Sequence, residues 1–265
     1  MRLQNRVAII TGGGTGIGKA IATVFAAEGA AVAVAGRRPT PLAESVKQIA
    51  SNGGKAIAIP TDIANEKQVQ DMVARTLKEY GQIDILVNDS AYAAPHSDVV
   101  DTSQENWNNS LAVNLTGTMM CTREVLKNMI PRQTGSIISL SSIAGVTGIP
   151  GGSAYSATKS GIIGFTQTLA MEVGHDNIRA NSITPAFVAT EKNLNGLRNL
   201  AKQKGMSYEE FMDKMLRHYA LKRVAKPSEV ATVALFLASD DASAITGQNL
   251  IVSCGFQMMH PGMIS

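Results

Sequence analysis

The chain has 265 residues, 45% of them hydrophobic and 17% charged, with a formal net charge of +3. That composition is too apolar for a disordered chain, and no apolar stretch approaches the ~20 residues that span a bilayer. Lys and Arg are dispersed along the chain, which gives nucleic-acid binding no compositional support. The first six residues run straight into a short strand and lack the apolar core of a signal peptide. Cys121 and Cys254 are far apart in apolar contexts, so a reducing cytoplasm is the expected location. Nothing among four histidines and two cysteines has metal-ligand spacing.

In chain order, apolar runs fall at Val7–Ile10, Ala31–Ala35, Ala56–Ile59, Ile83–Val87, Ser136–Leu140, Ile178–Ile183 and Asn249–Val252. Most are continuously apolar, as in strands of a parallel sheet covered on both faces. Between them, helical periodicity covers 16–28, 41–52, 66–80, 103–130, 153–174 and 226–239. Repeated βα units of this kind predict one doubly wound α/β domain with seven parallel strands. One connection, 186–223, is swollen and carries two short helical patterns near 193–204 and 207–218. Long insertions of this sort are commonly lids or binding loops, the plainer alternative being a peripheral helical hairpin.

Thr11-Gly12-Gly13-Gly14-Thr15-Gly16-Ile17-Gly18 follows the first strand and opens the first helix. Glycines there permit positive φ and close approach, and a helix start offers unpaired N–H groups to a phosphate. A dinucleotide cofactor is the expected occupant. The second strand ends at Gly36, followed by Arg37 and Arg38, with no acid until Glu44. An acid at this point would accept from a ribose 2′-hydroxyl, whereas a guanidinium pairs with a 2′-phosphate. NADP(H) is therefore favoured over NAD(H). Tyr155 and Lys159, four apart, share a helix face. A nearby ammonium favours a phenolate, so Tyr155 could exchange a proton with a carbonyl or alcohol. Ser142 follows the strand 136–140 at the sheet's carboxyl end, where it could hold the same oxygen.

Together these motifs strongly resemble the short-chain dehydrogenase/reductase family in its common, Rossmann-type form, over residues ~5–255. The resemblance matches Asp62, with Ile63, to the family's adenine-facing Asp, and Asn114 to the Asn of the helix before strand five. It implies that Tyr155 is the acid/base, that Ser142 orients the carbonyl, and that Lys159 binds the nicotinamide ribose and lowers the Tyr pKa. It also implies that Asn114 holds a relay water. The candidate cofactor contacts are Gly12, Gly14, Thr15, Gly16, Ile17, Gly18, Arg37, Arg38, Asp62, Ile63, Asn88, Ser90, Ala91, Tyr155, Lys159, Pro185, Ala186, Val188 and Thr190. Three places depart from the family pattern: Asn88-Asp89-Ser90-Ala91 for Asn-Asn-Ala-Gly, Pro185-Ala186 for Pro-Gly, and Ser253-Cys254-Gly255 for Asp-Gly-Gly.

The expected activity is NADP(H)-dependent interconversion of a carbonyl and a secondary alcohol, a small alcohol, sugar or cyclic ketone being slightly favoured. Alternatives are a 3-oxoacyl-carrier-protein or 3-oxoacyl-CoA reductase, an NAD-dependent alcohol dehydrogenase, or a non-catalytic cofactor-binding regulator. Phe211, Met215 and Tyr219 make an apolar stripe in the insertion, expected to be core packing more than substrate contact. The insertion also holds eight Lys or Arg against four acids, which could draw an anionic substrate but more often mark solvated faces. The resemblance implies a homotetramer or dimer, formed through Leu111, Leu115, Met119 and Leu126 on one helix and Ile162, Phe165, Leu169 and Val173 on the next. The tail Phe256–Ile264, with Met258, Met259 and Met263, is expected to cover a neighbouring subunit.

Overall fold

The computed structural model describes residues 1–256. The tail beyond Phe256, on which the subunit-covering expectation rests, lies outside the described residues.

Seven strands form one fully parallel sheet: β1 (Val7–Thr11), β2 (Ala31–Gly36), β3 (Lys55–Pro60), β4 (Ile85–Asn88), β5 (Gly135–Leu140), β6 (Ile178–Pro185) and β7 (Asn249–Val252). Their order is β3-β2-β1-β4-β5-β6-β7. The chain winds outward from β1 in one direction, then returns to start again at β4. That reversal leaves a crevice above the carboxyl ends of β1 and β4, the position where open α/β sheets bind ligands. The register is direct: Thr11 of β1 stands beside Ala35 of β2 and Asn88 of β4.

Helices cover both faces, so the strands are apolar throughout rather than alternating. On one face α1 (Gly16–Ala27), α2 (Pro39–Ser51) and α9 (Pro227–Ala238) bury Ile21, Phe25, Leu42, Val230 and Leu237 against Ile10, Val32 and Ile138. On the other, α3 (Glu66–Tyr80), α5 (Thr118–Arg132) and α6 (Ser153–Val173) bury Met72, Cys121, Met129 and Leu169 against Ile9, Leu86 and Ile137. Helix ends follow their sequence signals. Asn65 caps α3 by accepting from the Gln68 N–H at 3.1 Å, and Gly81 ends that helix at φ +79°.

Under the sheet, Asp84 is 2% exposed and fully used. Its carboxylate accepts from the Val7 N–H at 2.8 Å, Gln82 at 2.8 Å and Arg132 at 2.5 Å. This ties β1 and the approach to β4 to the end of α5.

The expected continuous helix over 103–130 is in fact three segments. α4 (Gln104–Ser110) is followed by a π-helical stretch, Leu111–Gly117, and then by α5. The widened turn has local causes. The side chain of Asn114 is pulled to the backbone of Tyr92, and Thr118 returns its hydroxyl to the Asn114 carbonyl at 2.8 Å. Gly117 lets the segment lie on Ile63, where a Cβ would stand 2.9 Å from that side chain.

The insertion forms α7 (Glu191–Gln203) and α8 (Tyr208–Leu216). Its two ends are joined by a bridge between Val188 and Ala225 and by the Ala189 N–H donating to Ala225 at 2.8 Å. α7 buries Leu197 and Ala201, whereas α8 buries no side chain. The expected packed stripe is therefore split. Tyr219 is buried beside Phe256, with ring centroids 5.0 Å apart, while Phe211 and Met215 stay half-exposed.

Candidate active site

The first βα turn is shaped for a phosphate. Gly12 and Gly16 hold φ of +73° and +57°, which side-chain-bearing residues rarely adopt. At Gly18 a Cβ would lie 2.5 Å from the Gly12 carbonyl oxygen. These glycines keep the start of α1 open, with its first N–H groups facing the crevice.

From this turn a groove of about 780 Å³ runs in two directions. On one side it passes Gly36, Arg37, Arg38, Thr61, Asp62 and Ile63. On the other it reaches Asp89, Ser90 and Ala91 after β4, and Thr190 at the start of α7. Length, glycine floor and flanking polar groups fit an extended dinucleotide. Arg37 and Arg38 are exposed and carry no ion pair with the described residues. The groove's carboxylates are Asp62 and Asp89.

Several expected contacts sit elsewhere. Asn88 is buried at the sheet's top edge, donating to Thr122 and Ser139 at 3.3 and 3.4 Å. Its amide spans β5 and α5 rather than lining the groove. Val188 is buried in the bridge at the base of the insertion. The Ala186 N–H donates to the Val252 carbonyl, which fixes the Pro185–Ala186 turn against β7.

The groove adds residues that the sequence did not single out for the cofactor: Pro41 and Leu42 from α2, Val113 from the π-helical stretch, and Lys192 and Asn193 from α7. A signal existed for two of them. Lys192 and Asn193 lie two and three residues after Thr190, whose hydroxyl caps α7 by accepting from the Asn193 N–H at 3.2 Å.

Ser142, Tyr155 and Lys159 converge as the motif demands. Ser142 follows β5, and its hydroxyl accepts from the Ala144 N–H at 3.2 Å. It also hydrogen-bonds the Tyr155 phenol, which favours the phenolate. Burial nevertheless dominates and raises the Tyr155 pKa, and the charge of Asp89 adds to the rise.

The expected lowering by Lys159 is not what this geometry provides. The Lys159 ammonium lies 5.6 Å from the Tyr155 ring centroid and donates to the Leu140 carbonyl at 2.6 Å. Burial brings its own pKa down to about 8, with Asp89 pulling the other way. Asn114 is fully buried, donating from Nδ2 to Thr158 at 3.1 Å and to the Tyr92 carbonyl at 3.0 Å. It thereby connects the post-β4 loop to the helix that carries Tyr155 and Lys159.

A family model described as Enoyl-(Acyl carrier protein) reductase, of the short-chain dehydrogenase/reductase group, matches residues 12–257. The chain belongs to the short-chain dehydrogenase/reductase family.

It is 36% identical over 260 residues to a 3-oxoacyl-[acyl-carrier-protein] reductase of Synechocystis, covering 97% of this chain and 98% of that one. It is 37% identical over 259 residues to a short chain dehydrogenase/reductase of Aspergillus oryzae, covering 97% of each. Among solved structures, levodione reductase superposes with a TM-score of 0.92 at 28% identity, over 98% of this chain and 100% of that one. NAD+-bound xylitol dehydrogenase gives 0.89 at 28% identity, over 95% and 99%. An actinorhodin polyketide ketoreductase variant with NADPH gives 0.90 at 31% identity, over 95% and 97%. The protein is thus an NAD(P)-dependent oxidoreductase of carbonyl and alcohol groups, built on a Rossmann-type sheet. No helix among the described residues is long and apolar enough to cross a membrane.

Proposed function

We propose that the protein uses NADP(H) to interconvert a ketone and a secondary alcohol, with Tyr155 as acid/base. The observation that carries this is the meeting of Ser142 and Tyr155 hydroxyls at the carboxyl edge of β5, beside the glycine-floored groove. Two neighbouring hydroxyls suit a C=O group, in which negative charge develops on the oxygen they would share. The nicotinamide, when bound, supplies or accepts the hydride at carbon.

The chain's own residues do the rest. Ser142 holds the substrate oxygen beside the phenol. Tyr155, kept protonated by burial, donates its proton to that oxygen in reduction and withdraws it in oxidation. Lys159 binds the nicotinamide ribose, and its ammonium helps to replace the phenol's proton. Asn114 acts as a positioning residue, holding Thr158 one position before Lys159.

Arg37 and Arg38 favour the 2′-phosphate of NADP(H), since unpaired guanidiniums flank that end of the groove. The remaining candidate contacts, Gly12, Gly14, Thr15, Gly16, Ile17, Asp62, Ile63, Ser90, Ala91 and Thr190, line the same groove, while Gly18 packs behind it against the Gly12 carbonyl. The insertion 186–223 is proposed as the substrate lid of a single domain.

A compact ketone or secondary alcohol is the first substrate class. The half-exposed Phe211 and Met215 of α8 give the lid an apolar side, and levodione reductase shares the fold over its whole length. A second class is a 3-oxoacyl thioester on a carrier, favoured by the names of the curated relatives. Lys192, Lys202 and Lys204 carry no ion pair with the described residues and would suit an acidic carrier.

A panel of cyclic ketones, sugars and 3-oxoacyl thioesters, assayed by loss of nicotinamide absorbance with NADPH and with NADH, separates the classes. Turnover of cyclic ketones alone supports the first class. Turnover of thioesters alone supports the second. No turnover of any carbonyl contradicts the proposed reaction.

Assembly as a dimer or tetramer is proposed through α5 and α6. Met119, Leu126, Ile130 and Phe165 line an apolar groove of about 480 Å³ between these helices. Leu169 borders the same groove, whereas Ile162 and Val173, expected on that face, are buried within the subunit.

A further inference from the structure

Asp89 stands where the family pattern has an amide, and its surroundings are unusual for a carboxylate. Thr11 fixes the turn after β4 by accepting the N–H groups of both Asp89 and Ser90 at 3.1 Å. This folds the Asp89 side chain back over the glycine turn. Its Oδ2 lies 2.7 Å from where a Cβ on Gly18 would be, and it accepts the Gly18 backbone N–H. The carboxylate therefore occupies part of the anion-binding start of α1 and lines the groove itself.

The charged groups around it come from several elements. Lys159 and Tyr155 face it from α6. Along the same groove lie Lys192 from α7, Arg37 and Arg38 after β2, and Asp62 after β3. Among the described residues, Lys159 is the cation that acts directly on Asp89, and it is itself buried.

We propose that Asp89 is a proton-linked gate on dinucleotide binding, taking up a proton from solvent as the cofactor diphosphate seats at the start of α1. The inference rests on the cofactor groove described above. A diphosphate seated on the turn Gly12–Ile17 would bring two negative charges next to the Gly18 N–H that Asp89 already accepts. Two anions at one site raise the cost of keeping both ionised. Protonated, Asp89 keeps its acceptor bond from Gly18 through one oxygen and gains an O–H that donates to a phosphate oxygen. Burial already pushes the Asp89 pKa up to about 7, so the added anion moves its titration across neutral pH. An asparagine at this position would remove this contribution to the pH dependence of cofactor affinity, whereas the aspartate makes affinity fall as pH rises.

The test is calorimetric titration of the full chain with NADH from pH 6 to 9, in two buffers of different ionisation enthalpy. NADH is chosen because NADPH has a 2′-phosphate that titrates on its own. The expected result is net proton uptake near pH 7 to 8, and an affinity that falls about tenfold or more across the range, since one unit of pKa shift is a factor of ten. Asp89→Asn is expected to abolish the uptake and to retain tight binding at pH 9.

Equal uptake in Asp89→Asn would assign the proton to Lys159 and overturn the inference. Binding without uptake in the native chain would overturn it while leaving the groove intact. Failure to bind NADH or NADPH at every pH would overturn the groove reading, and the inference with it. Should Asp89→Asn fail to fold, difference infrared spectra of the native chain decide the matter. A protonated-carboxyl band must appear on cofactor addition, and its absence contradicts the gate.

Discussion

Asn114 and Tyr92 are joined by two hydrogen bonds in opposite senses. The Tyr92 N–H donates to Oδ1 at 2.7 Å, and Nδ2 donates to the Tyr92 carbonyl at 3.0 Å. One amide thus satisfies both backbone groups of a loop residue as a strand partner would. The loop after β4 is stapled to the π-helical stretch, and through Thr158 to the helix bearing Tyr155 and Lys159. Asn114→Ala leaves the Tyr92 N–H without its partner at a part-buried position, which costs ~1–3 kcal/mol. Turnover should fall more than cofactor affinity, and Asn114→Asp should recover part of the loss, because its carboxylate can still accept from Tyr92. Steady-state kinetics with calorimetric cofactor binding checks the split.

The glycine floor admits no side chain. Gly18→Ala would bring a methyl to 2.5 Å from the Gly12 carbonyl oxygen and 2.7 Å from Asp89 Oδ2. Backbone must move at the point where the diphosphate is proposed to bind. Affinity for NADPH and NADH should drop together by tenfold or more, read by nicotinamide fluorescence. Unchanged affinity would place the cofactor elsewhere.

Arg37→Ala separates the two cofactors. A hydrogen bond to a charged group is worth ~1.5–3 kcal/mol, or about 10- to 100-fold in affinity. That loss is expected for NADPH, with NADH little changed. Equal losses would assign Arg37 a role away from the 2′-phosphate.

Beneath the sheet, Asp84 accepts three hydrogen bonds while almost completely buried. Asp84→Ala strands the Val7 N–H and leaves Arg132, a partly buried cation, without its partner. A loss of ~3–5 kcal/mol is expected in denaturant unfolding, as for other broken buried pairs. A change under 1 kcal/mol would show that β1 does not depend on this tie.

Stability should also respond to pH through Asp89. Its pKa rises from 3.8 to about 7 on folding, mainly by burial. Between these values the folded chain holds a proton that the unfolded chain has lost. Stability is therefore greatest on the acid side of this window and declines as pH rises towards 7. Asp89→Asn removes that decline, which unfolding curves at pH 4.5 and 7 would show directly.

Much of this was legible in the sequence because it is local. Thr11 to Gly18, Tyr155 with Lys159, and the seven apolar runs each report their own backbone, and each falls where expected. What escaped depends on contacts across the chain. Helix 103–130 reads as continuous because its side chains are helical in period, and the π-helical stretch arises from Tyr92 and Ile63, both distant in sequence. Asn88 reads as a groove residue, yet strand pairing turns its amide towards Thr122 and Ser139. Lys192 reads as a lid charge, and only the fold of α7 brings it to the groove. Asp89 was visible as a departure, but its proximity to Gly18 and Lys159 required three elements to meet.

The most direct test of the account is Tyr155→Phe, with cofactor binding and turnover measured on the same preparation. The variant keeps the ring over Lys159 and removes only the hydroxyl. Nicotinamide fluorescence should show NADPH affinity within a few fold of the native chain, while turnover of the best carbonyl substrate falls by ~10²–10⁴-fold or more. Undiminished turnover with cofactor bound would contradict Tyr155 as the proton carrier and with it the mechanism proposed for this site.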